Sequence, residues 1–424
     1  MAEIKGMPGL RFTAKAGEIS ELCCPPYDII SDEQREGYIA RNEHNVIRLE
    51  LPRGEDMYNK AGQVLNDWLN DGILSQDEDS IYIYEEEFTA NHQTKKIKGF
   101  ICRVKLEEFS KGIVLPHEET LSKAKEDRLN LMKATGCNFS QIYSLYIDNG
   151  NRTRPKIDHL SAGAPEKEFA DEAGVIHRMW RCSDPAQIAA VAGDFAGRKL
   201  YIADGHHRYE TAINYRNYLR ENGLAKEGDA CDYVMMMLVE MDNEGLVVFP
   251  THRLIRDLEG FDEAKMFEAA SEYFDVSEHE GLGGIEPTLE TYYRKGSKAY
   301  AYYSGGDSWK LLVLRDGGAM KKIMPDCSDA LRNLDVSVLH TLVLERSLGI
   351  DKANMAAQKN LTYTRSFDEA IEGVKDGKYQ AAFILNPTRV SEIGEVAAAG
   401  EKMPQKSTYF YPKLITGLVM NKLK

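Results

Sequence analysis

The sequence predicts an α+β, or mixed α/β, protein, and three observations support this fold class. Short strand patterns alternate with amphipathic helix patterns along the whole chain. Hydrophobic residues make up 43% of the 424 residues and charged residues 28%, so the chain can bury sizeable cores. This composition excludes global disorder and fibrous or collagen-like architectures, and neither a repeat of fixed period nor a low-complexity tract is present.

The first 173 residues contain both helix and strand patterns. In chain order the predicted elements are helix 58–70, strand 81–88, strand 99–106, helix 123–134 and strand 140–148. The polar stretch between the first two strands favours a hairpin. The segment 149–173 is rich in Gly, Pro and charged residues, which predicts loops between elements.

The middle and last parts of the chain differ in their patterns. In the middle we predict strand 175–182, a helix opened by Ser183-Asp184-Pro185, strand 199–203, a helix directly after it, and strands 233–241 and 245–249. From about 257 we predict helix 263–273, hairpin 299–314, helix 336–348, helix 367–375, strand 381–385 and helix 390–399. The change of pattern predicts three regions, 1–115, 116–256 and 257–424.

Charge and composition exclude several classes of partner. Lys and Arg total 53 against 67 Asp and Glu, a net charge of −14, which disfavours a general nucleic-acid binder but leaves room for a local basic pocket. The longest apolar runs have strand length and the N-terminus has no signal-peptide core, so no membrane partner is predicted. The seven cysteines include no CxxC pair, which favours reduced thiols in a cytoplasm. The oligomeric state is not predicted.

The sharpest chemical pattern is the segment LYIADGHHRYETA (200–212), and we call its residues 204–208 the DGHHR turn. A buried strand ends, Gly205 permits an unusual backbone angle, and a helix begins with its amides and positive dipole end exposed. His206, His207 and Arg208 lie at the same point, and Arg208 can hold a phosphate with two hydrogen bonds. Asp204 can orient an imidazole or cap the helix. This combination predicts a polyphosphate site.

Two other interpretations of the DGHHR turn remain open. The first is a helix cap with two surface histidines. The second is a zinc site, but zinc needs a third protein ligand, and neither HExxH nor a comparable spacing is present. No protein-held metal is therefore predicted, whereas Mg²⁺ arriving with a nucleotide is expected.

Further candidates lie elsewhere along the chain. Glu118 is the best candidate for orienting an acceptor hydroxyl, although it can equally favour the start of the following helix. Arg253 can bind a substrate carboxylate or a phosphate, and a strand-end salt bridge is its alternative. The tail motif Lys406-Ser407-Thr408 offers ammonium, amide and hydroxyl donors to an anion. It is not a Walker A loop, because the GxxxxGK frame is absent.

Several motifs in combination resemble one protein family across nearly the whole chain. They are ADGHHRYETA (203–212), CPPYDII (24–30), NVIRLELP (45–52), LPHEET (115–120), PTHRL (250–254) and MPQKSTYFYPK (403–413). This family is the conserved domain of unknown function 1015. The label by itself implies little about activity.

The DGHHR turn also resembles the phosphate-binding turn of the ParB/sulfiredoxin fold, in the form found in free L-serine kinases. The resemblance implies a ParB/sulfiredoxin-like nucleotide-binding core over 116–256, flanked by additional α+β regions. It also implies phosphate contacts from Gly205, His206, His207 and Arg208, and phosphorylation of serine to O-phosphoserine.

Three functions follow from these observations. The leading hypothesis is a Mg²⁺-dependent phosphotransferase that uses ATP or ADP and acts on a small hydroxyl compound. The DGHHR turn would hold the polyphosphate with His206 and His207 in catalytic roles, Glu118 would orient the hydroxyl, and Arg253 or Lys406 would neutralise charge. The alternatives are a ParB-like nucleotide-gated binding protein and a metal-dependent hydrolase built on His117, Glu118 and the two turn histidines. His117 is also a candidate substrate contact.

Overall fold

A computed structural model of the protein describes residues 1–90, 92–118, 120 and 122–423. These residues form two compact units. The first unit comprises Met1–Pro116, Thr120–Val247 and Pro412–Lys424, and the second comprises His117–Glu119 and Val248–Tyr411. Each unit contains both helices and sheets, so the predicted α+β class is confirmed. The division into three regions at 115 and 256 stays a prediction.

The first unit is built on one mixed, mainly antiparallel sheet. The strands of the first unit are β1 (Ile4–Lys5), β2 (Met7–Phe12), β3 (Leu74–Ala90), β4 (Gln93–Lys105), β5 (Val114–Leu115), β6 (Cys137–Asn138), β7 (Ile142–Tyr146), β8 (Lys167–Ala170), β9 (Ile176–Cys182), β10 (Leu200–Asp204) and β11 (Tyr233–Glu240), and all of them except β6 belong to this sheet. The sheet order is β5-β10-β7-β11-β4-β3-β9-β8, with β1 on β4 and β2 on β3. The C-terminal strand Asn421–Lys422 pairs separately with β6.

Helices of the first unit cover this sheet. They are α1 (Ile19–Leu22), α2 (Asp32–Arg41), α3 (Ile47–Glu50), α4 (Met57–Asn70), α5 (Ser122–Thr135), α6 (Arg154–Leu160), α7 (Pro185–Phe195) and α8 (His206–Glu221). Met235, Met236 and Met237 are fully buried, so both faces of β11 are covered. The helix and hairpin predictions for 58–106 are confirmed by α4 and by β3 paired with β4. Asp184 caps α7 by accepting hydrogen bonds from two amides, ahead of Pro185, as predicted.

The prediction that 149–173 forms only loops is wrong, because this segment contains α6 and β8. Residues distant in sequence stabilise the start of α6. Asp148 accepts a hydrogen bond from the amide of Thr153 at 2.8 Å, and Arg198 bonds both Asp148 and the Thr153 hydroxyl. The strand β8 is only four residues long and pairs with β9 at an edge of the sheet, where none of its side chains is fully buried, so it lacks a clear apolar pattern.

The second unit contains its own antiparallel sheet. Its strands are β12 (Val247–Phe249, which begins at the unit boundary), β13 (His252–Ile255), β14 (Phe274–Glu280), β15 (Ala299–Tyr303), β16 (Ser308–Leu314), β17 (Leu361–Thr364), β18 (Ala381–Ile384) and β19 (Tyr409–Tyr411). The sheet order is β14-β16-β15-β18-β13-β17, and β12 pairs with β19 apart from it. The hairpin predicted over 299–314 is confirmed by β15 and β16.

Helices of the second unit are α9 (Glu263–Ala270), α10 (Ile285–Arg294), α11 (Gly318–Ile323), α12 (Asp329–Arg332), α13 (Asp335–Val338), α14 (Lys352–Ala357), α15 (Phe367–Lys375) and α16 (Val390–Ala398). The helix predicted over 336–348 differs from the structure: α13 leads into a π-helix, Leu339–Glu345. Periodicity cannot distinguish this wider winding, because the π-helix is only seven residues long and its apolar pattern covers fewer than two turns. Within the described ranges, no helix is both long enough and apolar enough to span a membrane.

Candidate functional site

The DGHHR turn joins β10 to α8 in the first unit. Gly205 stands at φ 95° and ψ 28°, a left-handed backbone conformation that side chains disfavour. A Cβ atom at this position would lie 2.9 Å from Nε of Arg208 and 3.0 Å from its Cζ. Glycine is therefore favoured by the backbone angle, and a side chain at this position would also have to displace the Arg208 guanidinium that packs on it.

Asp204 holds two cations at this turn. Its Oδ2 accepts a hydrogen bond from Nη2 of Arg208 at 2.8 Å, and its Oδ1 accepts one from Nζ of Lys413 at 2.7 Å. Burial by itself would raise the pKa of the Asp204 carboxyl, but Lys413 and Arg208 together hold that pKa well below its usual range. The ion cluster of these three side chains therefore carries one excess positive charge.

The structure corrects the cap interpretation of the turn. The residue at the N-cap of α8 is Gly205, and no described side chain caps the helix there. The Asp204 carboxylate contacts the two cations instead of capping the helix. His206 is 5% exposed, so of the histidine pair only His207 keeps a partly exposed side chain. The picture of a capped helix with two surface histidines is therefore wrong.

A small cavity of about 40 Å³, lined by both apolar and polar residues, lies beside Arg208 and was not expected from the sequence. Its lining includes Glu50, Arg128, Ser140 and Thr211. Glu50 is 3% exposed and accepts a hydrogen bond from the Ser140 hydroxyl at 2.8 Å. Burial raises the pKa of Glu50, with Arg128 and Ser140 opposing that shift. The only hint in the sequence was the segment NVIRLELP, which contains Glu50.

The other predicted residues come together in the second unit. Glu118 accepts a hydrogen bond through Oε1 from the amide of Lys406 at 2.7 Å. His117, which is 1% exposed, contacts the Thr408 hydroxyl through Nε2 at 3.0 Å. Ser407 is buried and donates its hydroxyl to the carbonyl of Pro404. His117 and Glu118 are thus neighbours of the KST tail motif, although nearly 290 positions separate them in sequence.

Arg253 belongs to the same group but makes no strand-end salt bridge with a described residue. It is fully buried, and its guanidinium donates to the carbonyls of Thr251 and Lys406 and to Nε2 of His340. Burial lowers the pKa of Arg253 to about 10, while Tyr363 and Glu118 act in the opposite direction. The salt-bridge alternative for Arg253 is therefore wrong. Its functional role stays a prediction.

The structure thus places the predicted site residues in two groups. Asp204, Gly205, His206, His207 and Arg208 form the DGHHR turn in the first unit. In the second unit lie His117, Glu118, Arg253, Lys406, Ser407 and Thr408. Lys413 of the first unit was missed as a site residue, although it ends the tail motif MPQKSTYFYPK, because nothing local connects it to Asp204.

Comparison with known proteins identifies the family. The family model described as "Protein of unknown function (DUF1015)" matches residues 4–337. The chain belongs to this family. The suspected family is therefore confirmed, and five of the six motifs lie within the matched residues, whereas MPQKSTYFYPK (403–413) lies outside them. No curated protein matches the chain.

Solved structures similar to this DUF1015 protein include three of different description. A conserved hypothetical protein from Pyrococcus furiosus has 16% identity and a TM-score of 0.35, with 74% of this chain and 90% of that chain covered. A free serine kinase in complex with AMP has 15% identity and a TM-score of 0.36, covering 74% and 86%. SbnI with a C-terminal truncation, from Staphylococcus aureus, has 10% identity and a TM-score of 0.35, covering 74% and 85%. At these values the likeness carries no conclusion about activity.

Proposed function

We propose that the DGHHR turn binds the polyphosphate of a nucleotide and that the protein transfers a phosphoryl group to a small hydroxyl compound. Free L-serine, giving O-phosphoserine, is the first acceptor to test, with ATP or ADP as donor. The observation that carries the proposal is the positive ion cluster at the start of α8. Arg208 and Lys413 both donate hydrogen bonds to the Asp204 carboxylate there, and the positive dipole end of the 16-residue helix α8 lies at the same turn.

The geometry of the turn suits a phosphate in three respects. The left-handed Gly205 lets the backbone approach a ligand without a side chain in the way. The first amides of a helix have no partner within the helix and favour anions. Arg208 is held by Asp204 and by the carbonyl of Gln141, so its guanidinium is ordered before a ligand arrives.

Mg²⁺ is the expected companion of the nucleotide, because it is bound mainly through substrate phosphates and oxygen ligands and neutralises the charge that develops during transfer. The carboxylate of Asp204 has the oxygen ligands that Mg²⁺ prefers, but two cations already hold it. In the described part of the chain, no three His, Cys, Asp or Glu side chains are grouped to hold a metal. We therefore assign the cation to the nucleotide.

The reaction would break the bond between the terminal phosphorus and its bridging oxygen and form a bond from the acceptor oxygen to that phosphorus. The acceptor hydroxyl must lose a proton, and a carboxylate in hydrogen-bond reach is the usual acceptor. Glu118 remains the predicted group for this role. Its carboxylate accepts the Lys406 amide at 2.7 Å, so its orientation is set by the protein.

Phosphorus NMR tests the proposal directly. The protein would be incubated with Mg²⁺, a panel of ATP, ADP, CTP and pyrophosphate, and pooled amino acids including serine. Arg208→Ala and Lys413→Met remove the two cations, and Lys105→Met is the matched control. Lys105 forms a 3.0 Å ion pair with Glu3 in the same unit and is not part of the ion cluster at the turn.

We expect a new phosphomonoester resonance that both turn variants abolish and that Lys105→Met retains. Splitting the pool then identifies the acceptor. Nucleotide binding without turnover would favour the nucleotide-gated alternative. Unchanged nucleotide spectra would refute the phosphate site, and stoichiometric zinc in the purified protein would then support the hydrolase.

A further inference from the structure

Four ionisable side chains contact one another in series inside the first unit. The hydroxyl of Tyr84 lies 2.9 Å from Oε1 of Glu86 and 2.7 Å from Nδ1 of His177. The other ring nitrogen of His177, Nε2, lies 3.2 Å from Oδ2 of Asp171. Tyr84 and Glu86 are 0% exposed, and His177 is 1% exposed. We call these four residues the buried polar chain.

Strand pairing holds the buried polar chain in place. Tyr84 and Glu86 are two positions apart on β3 and so share one face of the sheet, and His177 of β9 is the cross-strand partner of Glu86. The rings of Tyr84 and His177 are parallel within 7°, and the ring of Phe169 on β8 lies 5.0 Å from the imidazole, centroid to centroid. Because the donors and acceptors have fixed positions, their protons can be assigned.

The contacts favour a protonated Glu86. Its Oε2 is buried and has no hydrogen-bond partner among the described residues, so ionisation would leave a charged oxygen without a donor. An ion pair with His177, whose Nδ1 lies 3.7 Å from Oε1, would bury two charges in place of none. Glu86 therefore donates its proton to the phenol oxygen of Tyr84, and Tyr84 donates to Nδ1 of His177. The proton of the imidazole then lies on Nε2, facing Asp171.

The two carboxyl groups at the ends of the chain differ in their electrostatic surroundings. Burial raises the pKa of Glu86 to about 8; the hydrogen bond from Tyr84 opposes this rise and the charge of Asp171 adds to it. Burial would also raise the pKa of Asp171, but His177 and two backbone amides hold that pKa below its usual range. At neutral pH the chain therefore has one protonated and one ionised end.

Other ionisable groups act on the buried polar chain but stay protonated when its buried carboxyl ionises. They are Tyr143 of β7, Cys23 and Tyr38. Burial raises the pKa of each of them, and of Tyr84 itself, above its usual value. The backbone amide of Ile415 also donates towards the phenol oxygen of Tyr84, which can accept it in either proton arrangement. Alkaline titration of the chain therefore begins at Glu86.

We propose that the buried polar chain is a pH-sensitive switch, in which loss of the Glu86 proton reverses both hydrogen bonds of Tyr84 and moves the imidazole proton of His177 from Nε2 to Nδ1. Before the switch, protons lie on Glu86, on the Tyr84 oxygen and on Nε2. After it, Tyr84 donates to the Glu86 carboxylate and Nδ1–H donates to Tyr84. Two protons remain in the chain, and the third has passed to solvent.

The switch breaks the contact at Asp171. After the switch the lone pair of Nε2 faces the Asp171 carboxylate, and the two repel each other. The Asp171 side chain is 27% exposed and can turn to water, whereas the fully buried Glu86 carboxylate needs the Tyr84 donor. Oδ1 of Asp171 also accepts the amides of Ala173 and Val175, both at 2.9 Å, in the turn from β8 to β9. The switch therefore couples this edge hairpin to a proton inside the sheet, whether or not the DGHHR turn binds phosphate.

Long-range proton–nitrogen NMR of the full-length protein, labelled with ¹⁵N-histidine, tests the switch because it distinguishes protonated from unprotonated ring nitrogens. Spectra are compared at about pH 7 and about pH 9.5, on either side of the Glu86 ionisation. His177→Gln assigns the resonances. Glu86→Gln cannot ionise but keeps a donor for Tyr84. Glu85→Gln is the matched control, because Glu85 is the neighbouring carboxylate of β3 and pairs with Lys98 and Arg178 outside the chain.

We expect the His177 proton on Nε2 at the lower pH and on Nδ1 at the higher pH, both in the wild type and in Glu85→Gln. Glu86→Gln should keep the proton on Nε2 at both values. A ring protonated on both nitrogens at about pH 7, a proton that stays on one nitrogen in the folded wild type, or the same exchange in Glu86→Gln would each overturn the proposal. The first two outcomes need only the wild type, so the test does not depend on a variant that folds. Thermal unfolding at both pH values establishes which proteins are folded.

Discussion

Replacing Gly205 by alanine tests the most specific structural claim about the DGHHR turn. At φ 95° an alanine pays the left-handed backbone cost of about 1–2 kcal/mol. Its Cβ would also lie 2.9 Å from Nε of Arg208, so the guanidinium must move. Moving it weakens hydrogen bonds to Asp204 and Gln141, and bonds of this charged type contribute about 1.5–3 kcal/mol. The two effects together predict a loss of about 2.5–5 kcal/mol in the free energy of unfolding.

Gly223, at the other end of α8, separates these two contributions. It has φ 67°, and nothing lies within 4 Å of a Cβ built there. Gly223→Ala therefore reports the backbone cost alone, about 1–2 kcal/mol. The difference between the two variants measures the displacement of Arg208.

Urea unfolding followed by tryptophan fluorescence is the assay. Trp68 and Trp180 lie in the first unit and Trp309 in the second, so a Trp309→Phe background makes the fluorescence report the first unit. The reasoning is refuted if the losses of unfolding free energy in Gly205→Ala and Gly223→Ala agree within about 0.5 kcal/mol, because extrapolation to zero urea cannot resolve a smaller difference.

Three further predictions address ionisable groups. Because the folded pKa of Asp204 is depressed, its stabilisation is present above its unfolded pKa of about 4 and is lost as the pH falls through the folded value. Lys413→Met removes one of the cations that depress this pKa, so its stability should fall less on acidification than that of the wild type. Lys105→Met should show the same fall as the wild type. Urea unfolding midpoints measured from pH 6 to pH 2 report both. Glu86 behaves oppositely: burial raises its pKa to about 8, so folding stability should fall as the pH rises from about 4 towards 8. Glu86→Gln should flatten this slope and remove the infrared band of a protonated carboxyl at pH 6; a wild type without that band at pH 6 would contradict the assignment. Glu118→Gln keeps an acceptor oxygen for the Lys406 amide, so the fold should persist while phosphotransfer falls about 10²–10⁴-fold; a loss below tenfold would exclude Glu118 as the proton acceptor.

Much of the local structure could be predicted because helix and strand periods are properties of short segments. The strand before Gly205 and the helix after it were both located within a few residues. The pattern was less informative where elements are short, polar or held by distant residues. The segment with α6 and β8 is the example, since Arg198 and Asp148 stabilise the start of α6 from outside it.

The sequence by itself determined the fold class, the family and the position of the DGHHR turn, because strand, glycine and helix are consecutive there. Only the tertiary structure decided what surrounds that turn. It places the ammonium of Lys413 in hydrogen-bond contact with the Asp204 carboxylate, although 209 positions separate the two residues in sequence. It also placed His340 and Tyr363 beside Arg253, which lie 87 and 110 positions away in sequence. Such contacts form where chain packing closes long loops, and no short segment carries information about them.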